Sequence, residues 1–158
     1  MPLLENAKVS IRDNLTAIAR GGKPRVVEIG YLTLDQLAEI NRSRAEVNRL
    51  NPPLNLIPLE NNVIIFLGRH IYNSRSRDGY TAEDMIVQIG SAMSTESIVT
   101  LDKFVSGIYN PIARADGYGN MVYDKGILEI TSRRPRAELF SVMPKGDAIK
   151  PPNAQKPA

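Results

Sequence analysis

The apolar pattern of this chain changes period along its length, and that change limits the fold more than any other feature. The early segments repeat apolar residues every three to four positions, as helices do. Ile11, Leu15 and Ile18 share one face of a short helix over Ser10 to Arg20, with Ser10 as its cap, Asp13 in its first turn and Gly21-Gly22 as its stop. Thr33-Leu34-Asp35-Gln36 has capping-box spacing, and the helix it opens runs to about Asn48 with Leu37, Ile40, Arg44 and Val47 roughly in line. The prolines of "NPPLNLIP" end it. Thr81 caps a further helix, with Glu83 and Asp84 in the first turn and Met85, Ile86, Ile89, Ala92 and Met93 as its stripe.

Two strand signals precede that helix, and strand signals dominate after it. Arg25 to Leu32 is β-prone, and Val63 to Leu67 is a continuous apolar run that fits a buried strand. Ser97 to Val105 is strand-like, "NPIARADGYGN" carries turn residues throughout, and "MVYDKGILEIT" fits a hairpin around Asp124-Lys125-Gly126. Ala137 to Met143 supplies a last strand. Helices followed by strands predict an α+β fold, with helices packed on one mostly antiparallel sheet of four or five strands. The expected organisation is an N-terminal helical segment over 1–60, an α+β core over 61–147 and a disordered Pro- and Lys-rich tail over 148–158. Asp-Gly-Tyr occurs twice, at Asp78 to Tyr80 and at Asp116 to Tyr118, and is read as shared turn chemistry.

Composition removes several functional classes. With no cysteine there are no disulfides and no thiolate zinc site, and a single histidine argues against a His-based metal site. An all-carboxylate Mg²⁺ or Ca²⁺ site stays open, although EF-hand spacing and a dense acidic cluster are both missing. No cofactor is expected: there is no Walker loop, dinucleotide fingerprint or serine elbow, and the Gly-x-Gly of "DGYGN" lacks the helix a phosphate loop needs. No apolar run approaches the roughly 20 residues of a membrane helix, and "MPLLENAKVS" has no signal-peptide pattern. A net charge of +3 points weakly toward nucleic acid.

The residues able to carry chemistry fall in two basic clusters. The first, "GRHIYNSRSRDGY", holds His70, the one side chain whose ordinary pKa lies near neutrality, among Arg69, Arg75 and Arg77. Guanidinium forks match phosphate geometry, so these arginines are candidate phosphate ligands and His70 a proton carrier. The plain alternative is a histidine that ends a strand and hydrogen-bonds a carbonyl. The second cluster is Arg133-Arg134-Pro135-Arg136. If Leu128 and Ile130 face the core, Glu129, Thr131 and Arg133 share the other face, about 7 Å apart along the strand. Ser132, Arg134 and Arg136 add phosphate-binding capacity. The alternative there is a solvated strand face with an ordinary salt bridge. Tyr72, Tyr80, Tyr109 and Tyr118 could stack on bases, whereas Lys125, in the presumed turn, and Lys145 fit a solubilising role.

From about Asn61 to Asp147 the chain resembles the metal-independent ribonuclease domains of the barnase–EndoU–colicin–RelE superfamily, of phage and polymorphic-toxin type. The similarity lies in "LGRHIYNSR" after a strand, the helix "TAEDMIVQIGSAM" and the late strands "GILEITSRRPRAELFSVMPKGD". The resemblance implies helices on an antiparallel sheet and RNA cleavage by the neighbouring 2′-hydroxyl without metal. It makes His70 the proton-transfer residue, with Arg75 and Arg133 steadying phosphate charge, Thr131 or Ser132 holding a phosphate oxygen and Glu129 as partner base. It also implies RNA as substrate, a cognate immunity protein as partner and action in the cytoplasm of a producing or target cell. The alternative is a non-catalytic nucleic-acid- or protein-binding module of a phage or mobile element.

Overall fold

A computed structural model describes residues 3–101, 105–130, 136–146 and 151–152. Its helices form where caps and apolar periodicity coincide. Thr33 and Gln36 close their capping box at the start of α2 (Leu34–Leu50), and Thr81 and Asp84 close another at the start of α4 (Ala82–Ala92). The first helix, α1 (Ala7–Ala19), starts earlier than the sequence suggests: Ser10 lies inside it, and Asn6 takes the cap position without a side-chain bond. Ala7, Ile11, Leu15 and Ile18 still make its buried face.

One helix carries no prior signal. α3 (Arg69–Arg77) occupies the segment after the strand Val63–Phe66, so the plain alternative of a strand-ending His70 does not hold. Gly68 starts it from the left-handed region at φ 95°, and a Cβ there would lie 2.6 Å from the Phe66 ring. Its inward residues are Ile71 and Arg75, one turn apart, so an arginine stands where an apolar residue would have completed the pattern.

The fold is α+β, and its sheet has seven strands rather than the four or five expected. These are β1 (Val27–Tyr31), β2 (Val63–Phe66), β3 (Ile98–Leu101), β4 (Val105–Tyr109), β5 (Arg114–Ala115), β6 (Met121–Ile130) and β7 (Ala137–Lys145). The order is β1-β2-β7-β6-β4-β3, with β5 beside β6. Neighbours are antiparallel except for β2 and β7. The one parallel pair uses the "VIIF" run, which suits a strand buried on both faces.

Residues 3–60 belong to this same core. β1 extends the sheet beyond β2, and Ala7, Ile11, Leu15, Ile29, Leu32 and Ile40 pack with Ile71, Ile89, Leu128 and Leu139. The prolines of "NPPLNLIP" do break the helix, but the following segment is tied back along α2. Asn41 exchanges two amide bonds with Leu59 (2.7 and 3.2 Å), and Asn48 exchanges two with Leu56 (2.5 and 2.8 Å). The expected tail from 148 lies almost wholly outside the described residues.

The presumed hairpin at Met121 to Thr131 is a single ten-residue strand, β6. Asp124 and Gly126, read as turn residues, serve packing instead. Asp124 is fully buried and takes a bidentate pair from Arg114, Nε to Oδ2 at 2.5 Å and Nη2 to Oδ1 at 2.9 Å. A Cβ on Gly126 would lie 2.9 Å from both Ile108 and Leu139, so only glycine lets β4 and β7 close over that point. Along β6, Val122, Asp124, Gly126, Leu128 and Ile130 face the helices, while Met121, Tyr123, Lys125, Ile127 and Glu129 face away. A bulge opposite Ile127 and Leu128 shifts the alternation of β7, so that Ala137 and Leu139 before it, and Val142 and Pro144 after it, are buried. The last strand runs to Lys145, two residues past the expected end.

Candidate nucleic-acid interface

Of the second basic cluster only Arg136 lies among the described residues. His70 is exposed in the first turn of α3. Its ring stacks on Phe140, the residue at the β7 bulge, with centroids 4.3 Å apart and planes 13° apart. Ser74 Oγ lies 3.5 Å from His70 Nε2, one turn along. The imidazole is thus held flat and open to solvent.

Glu129, the proposed partner base, alternates with Leu128 and Ile130, both of which belong to the core that α3 shares. It therefore projects from the opposite face of the sheet to the helix carrying His70. Arg136 is exposed just before β7, four residues from Phe140 and so roughly 13 Å away along the strand. Thr131, Ser132, Arg133 and Arg134 lie outside the described residues.

The expected phosphate ligands of the first cluster separate as well. Arg69 and Arg77 are exposed. Arg75 is buried and paired with Asp78 at 3.2 Å, so its role is structural and not that of a surface phosphate ligand. The expected base-stacking rings are mostly occupied. Tyr72 packs against the core, Tyr80 is buried, and Tyr118 donates its hydroxyl to Asp84 at 2.7 Å.

A different surface offers what those residues do not. The outward residues of β3, β4, β6 and β7 form a continuous open face, joined by the strand register. Ile98 stands opposite Tyr109, Tyr109 opposite Lys125, and Lys125 opposite Met143. One step along, Tyr123 stands opposite Lys145. Directly opposed side chains on a sheet are about 5 Å apart at Cβ, close enough for each ammonium to reach a neighbouring ring. Met121 and Tyr123 are 62% and 46% exposed, far more than packing against a second layer would leave. Gly107, between Thr100 and Ile127, makes a dip over which Thr100 and Lys125 lean.

Met121, Tyr123, Lys145 and Gly146 line an open cleft of about 540 Å³. A smaller depression of about 100 Å³ lies beside it, between Lys125, Ile127, Ser141, Met143 and Lys145. The face is polar along its length: lysines occupy this end, while Glu129 stands opposite Glu138 toward the other. The sequence signal for it is confined to the alternation of Leu128, Glu129 and Ile130, because Asp124-Lys125-Gly126 reads as a turn. Lys125 and Lys145, read as solubilising, are its two central cations.

Known proteins supply no further guide: the chain matches no protein-family model, no curated protein and no solved structure. Among the described residues no group of three or more His, Asp or Glu is placed to hold a metal ion. No described helix is long and apolar enough to cross a membrane.

Proposed function

We propose that this chain binds single-stranded RNA across the open face of its sheet. The observation that carries the reading is the run of cross-strand pairs Tyr109–Lys125–Met143 and Tyr123–Lys145 on the face turned away from the helices. Single strands are held by aromatic rings that stack on bases and by cations that neutralise the backbone. Both elements stand here on rigid strands, so little ordering accompanies binding. Glu129, outward at the far end, disfavours phosphate there and so favours the lysine end.

Fluorescence anisotropy with a labelled single-stranded RNA tests this reading. Two phosphate contacts give a slope of about −1.4 in log K against log salt, and the double variant Lys125→Glu/Lys145→Glu should remove that share. Tyr123→Ala should weaken binding about 5- to 100-fold if one base stacks on it. A chain that ignores RNA and instead dimerises through this face would sink the proposal.

A second reading, metal-independent cleavage of RNA, is favoured by the exposed His70 clamped on Phe140. It also accords with the resemblance to phage and polymorphic-toxin ribonucleases. The 2′-hydroxyl would attack the adjacent phosphorus, the 5′-oxygen would leave, and His70 would carry the proton. Such a domain would act in a producing or target cell's cytoplasm and be restrained by an immunity protein. Cleavage in EDTA that falls about 10²- to 10⁴-fold in His70→Ala would support it. His70→Ala should leave binding at the open face unchanged, so the two readings separate cleanly.

A further inference from the structure

The geometry points to a second binding site, for a small organic cation bearing N–H donors, in the cleft between α4 and the loop that carries β5. It does not rest on the RNA-binding reading. The cleft is about 280 Å³, and Tyr80, Asp84, Gln88, Arg114 and Asp116 line it, with Val87 at its edge.

The two Asp-Gly-Tyr tripeptides meet here. Tyr80 and Tyr118 pack edge to face, centroids 5.9 Å apart and planes 82° apart. Asp84 accepts from the Thr81 N–H at 2.8 Å and from the Tyr118 hydroxyl at 2.7 Å. Asp116 accepts from the Tyr118 N–H at 2.7 Å and from Asn120 through its backbone (3.0 Å) and its amide (2.8 Å). Both carboxylates are fixed in place by neutral donors, and the Arg114 charge offsets that of Asp116 only in part.

The nearby cations Arg75 and Arg114 each hold a carboxylate elsewhere, although the buried Arg75 Nε has no partner of its own. Arg75 pairs with Asp78, and Arg114 pairs with Asp124. Asp84 and Asp116 therefore leave negative charge on the cleft, in a chain whose net charge is +3. Burial pushes the Asp116 pKa up, but the hydrogen bonds from Asn120 and the Tyr118 N–H outweigh it and the net shift is down. The bond to Asp84 holds the Tyr118 hydroxyl protonated, its pKa pushed up to about 12.

An independent observation concerns two polar atoms of the same lining. Tyr80 is 6% exposed and Gln88 1%, yet Tyr80 Oη and Gln88 Oε1 have no hydrogen-bond partner. Buried polar atoms without partners are rare in native proteins, and each asks for a ligand or a strain account. A seated N–H donor satisfies both, helped by rotation about the soft terminal torsion of Gln88. Two carboxylates, an amide oxygen and a phenol suit an ammonium or a guanidinium, with Val87 against its alkyl part. Among the described residues no group of three or more His, Asp or Glu is placed to hold a metal ion in this cleft. Phosphate groups are repelled by it. The cation is either a free small molecule or a Lys or Arg side chain of a partner.

The test is calorimetric titration of the full chain with agmatine, with tetramethylammonium as a cation lacking N–H donors. Agmatine should bind saturably and tetramethylammonium should not. Tyr80→Phe and Gln88→Met each delete an unpartnered atom, so without ligand both should melt at or above the wild-type temperature. Each should weaken agmatine binding about 10-fold or more, the usual effect of losing a charge-assisted hydrogen bond. An arginine-containing peptide that binds about 10-fold tighter than agmatine would identify a partner's side chain as the source; equal affinity would identify a free cation. No saturable agmatine binding, equal binding of tetramethylammonium, or unchanged affinity in both variants would overturn the proposal.

Discussion

Asp124→Asn should destabilise the protein by about 3 kcal/mol, the lower end of what breaking a buried ion pair costs. The magnitude follows from the geometry. Asp124 has no exposed surface and accepts two bonds from Arg114, at 2.5 and 2.9 Å. Hydrogen bonds to charged groups are worth about 1.5–3 kcal/mol each. An asparagine accepts on one side only and turns an N–H toward the guanidinium on the other. The Arg114 side chain is 23% exposed, so it recovers part of its solvation, which places the loss near 3 rather than 5 kcal/mol. Urea unfolding followed by circular dichroism should show the midpoint falling by roughly 1.5 M for a slope near 2 kcal/mol/M. The double variant Arg114→Met/Asp124→Leu should recover most of the loss, because an apolar pair of similar size is often neutral. A loss under about 1 kcal/mol in Asp124→Asn, or a double variant worse than the single, would refute the account of how β6 passes unbroken through Asp124-Lys125-Gly126.

Other consequences are narrower. Gly126→Ala should cost about 1–3 kcal/mol by overpacking against Ile108 and Leu139, read as a lower melting temperature. Thr81→Ala should cost about 1 kcal/mol through loss of the α4 cap, read in the same way. The Tyr118 pKa is raised from 10.0 to about 12 by its bond to Asp84, so the stability that bond provides is complete below pH 10 and disappears as pH climbs through 12. Tyr118→Phe should therefore flatten the fall in stability over that range, and ultraviolet titration of this variant should lose a late-ionising phenol that the wild type shows.

The sequence made legible what depends on local pattern. Both capping boxes were readable, because a hydroxyl and an acid or amide three residues apart need no tertiary context. So were the α4 stripe, the buried β2 run and the inward facing of Leu128 and Ile130. What failed was decided by distant partners. Asp124 looks like a turn residue until Arg114 arrives from β5, and Gly126 looks flexible until Ile108 and Leu139 close on it. α3 was hidden because Arg75 fills a core-facing position and takes Asp78 as its counter-charge.

The site shows the same division. His70 stands exposed on α3, but which residues surround it depends on which face of the sheet each strand turns outward. One such face change separates it from Glu129. The repeated Asp-Gly-Tyr was dismissed as turn chemistry, and only the folding of the 110–120 loop onto α4 brings its two tyrosines together. Lys125 and Lys145 are twenty residues apart, and nothing but the β6–β7 register makes them neighbours.

The most direct measurement is the salt dependence of single-stranded RNA binding by the wild type and by Lys125→Glu/Lys145→Glu. The account predicts that the wild type binds with affinity falling as salt rises, and that the double variant binds at least about 10-fold more weakly with a slope shallower by about 1.4. Equal affinity and equal slope for the two proteins would contradict it.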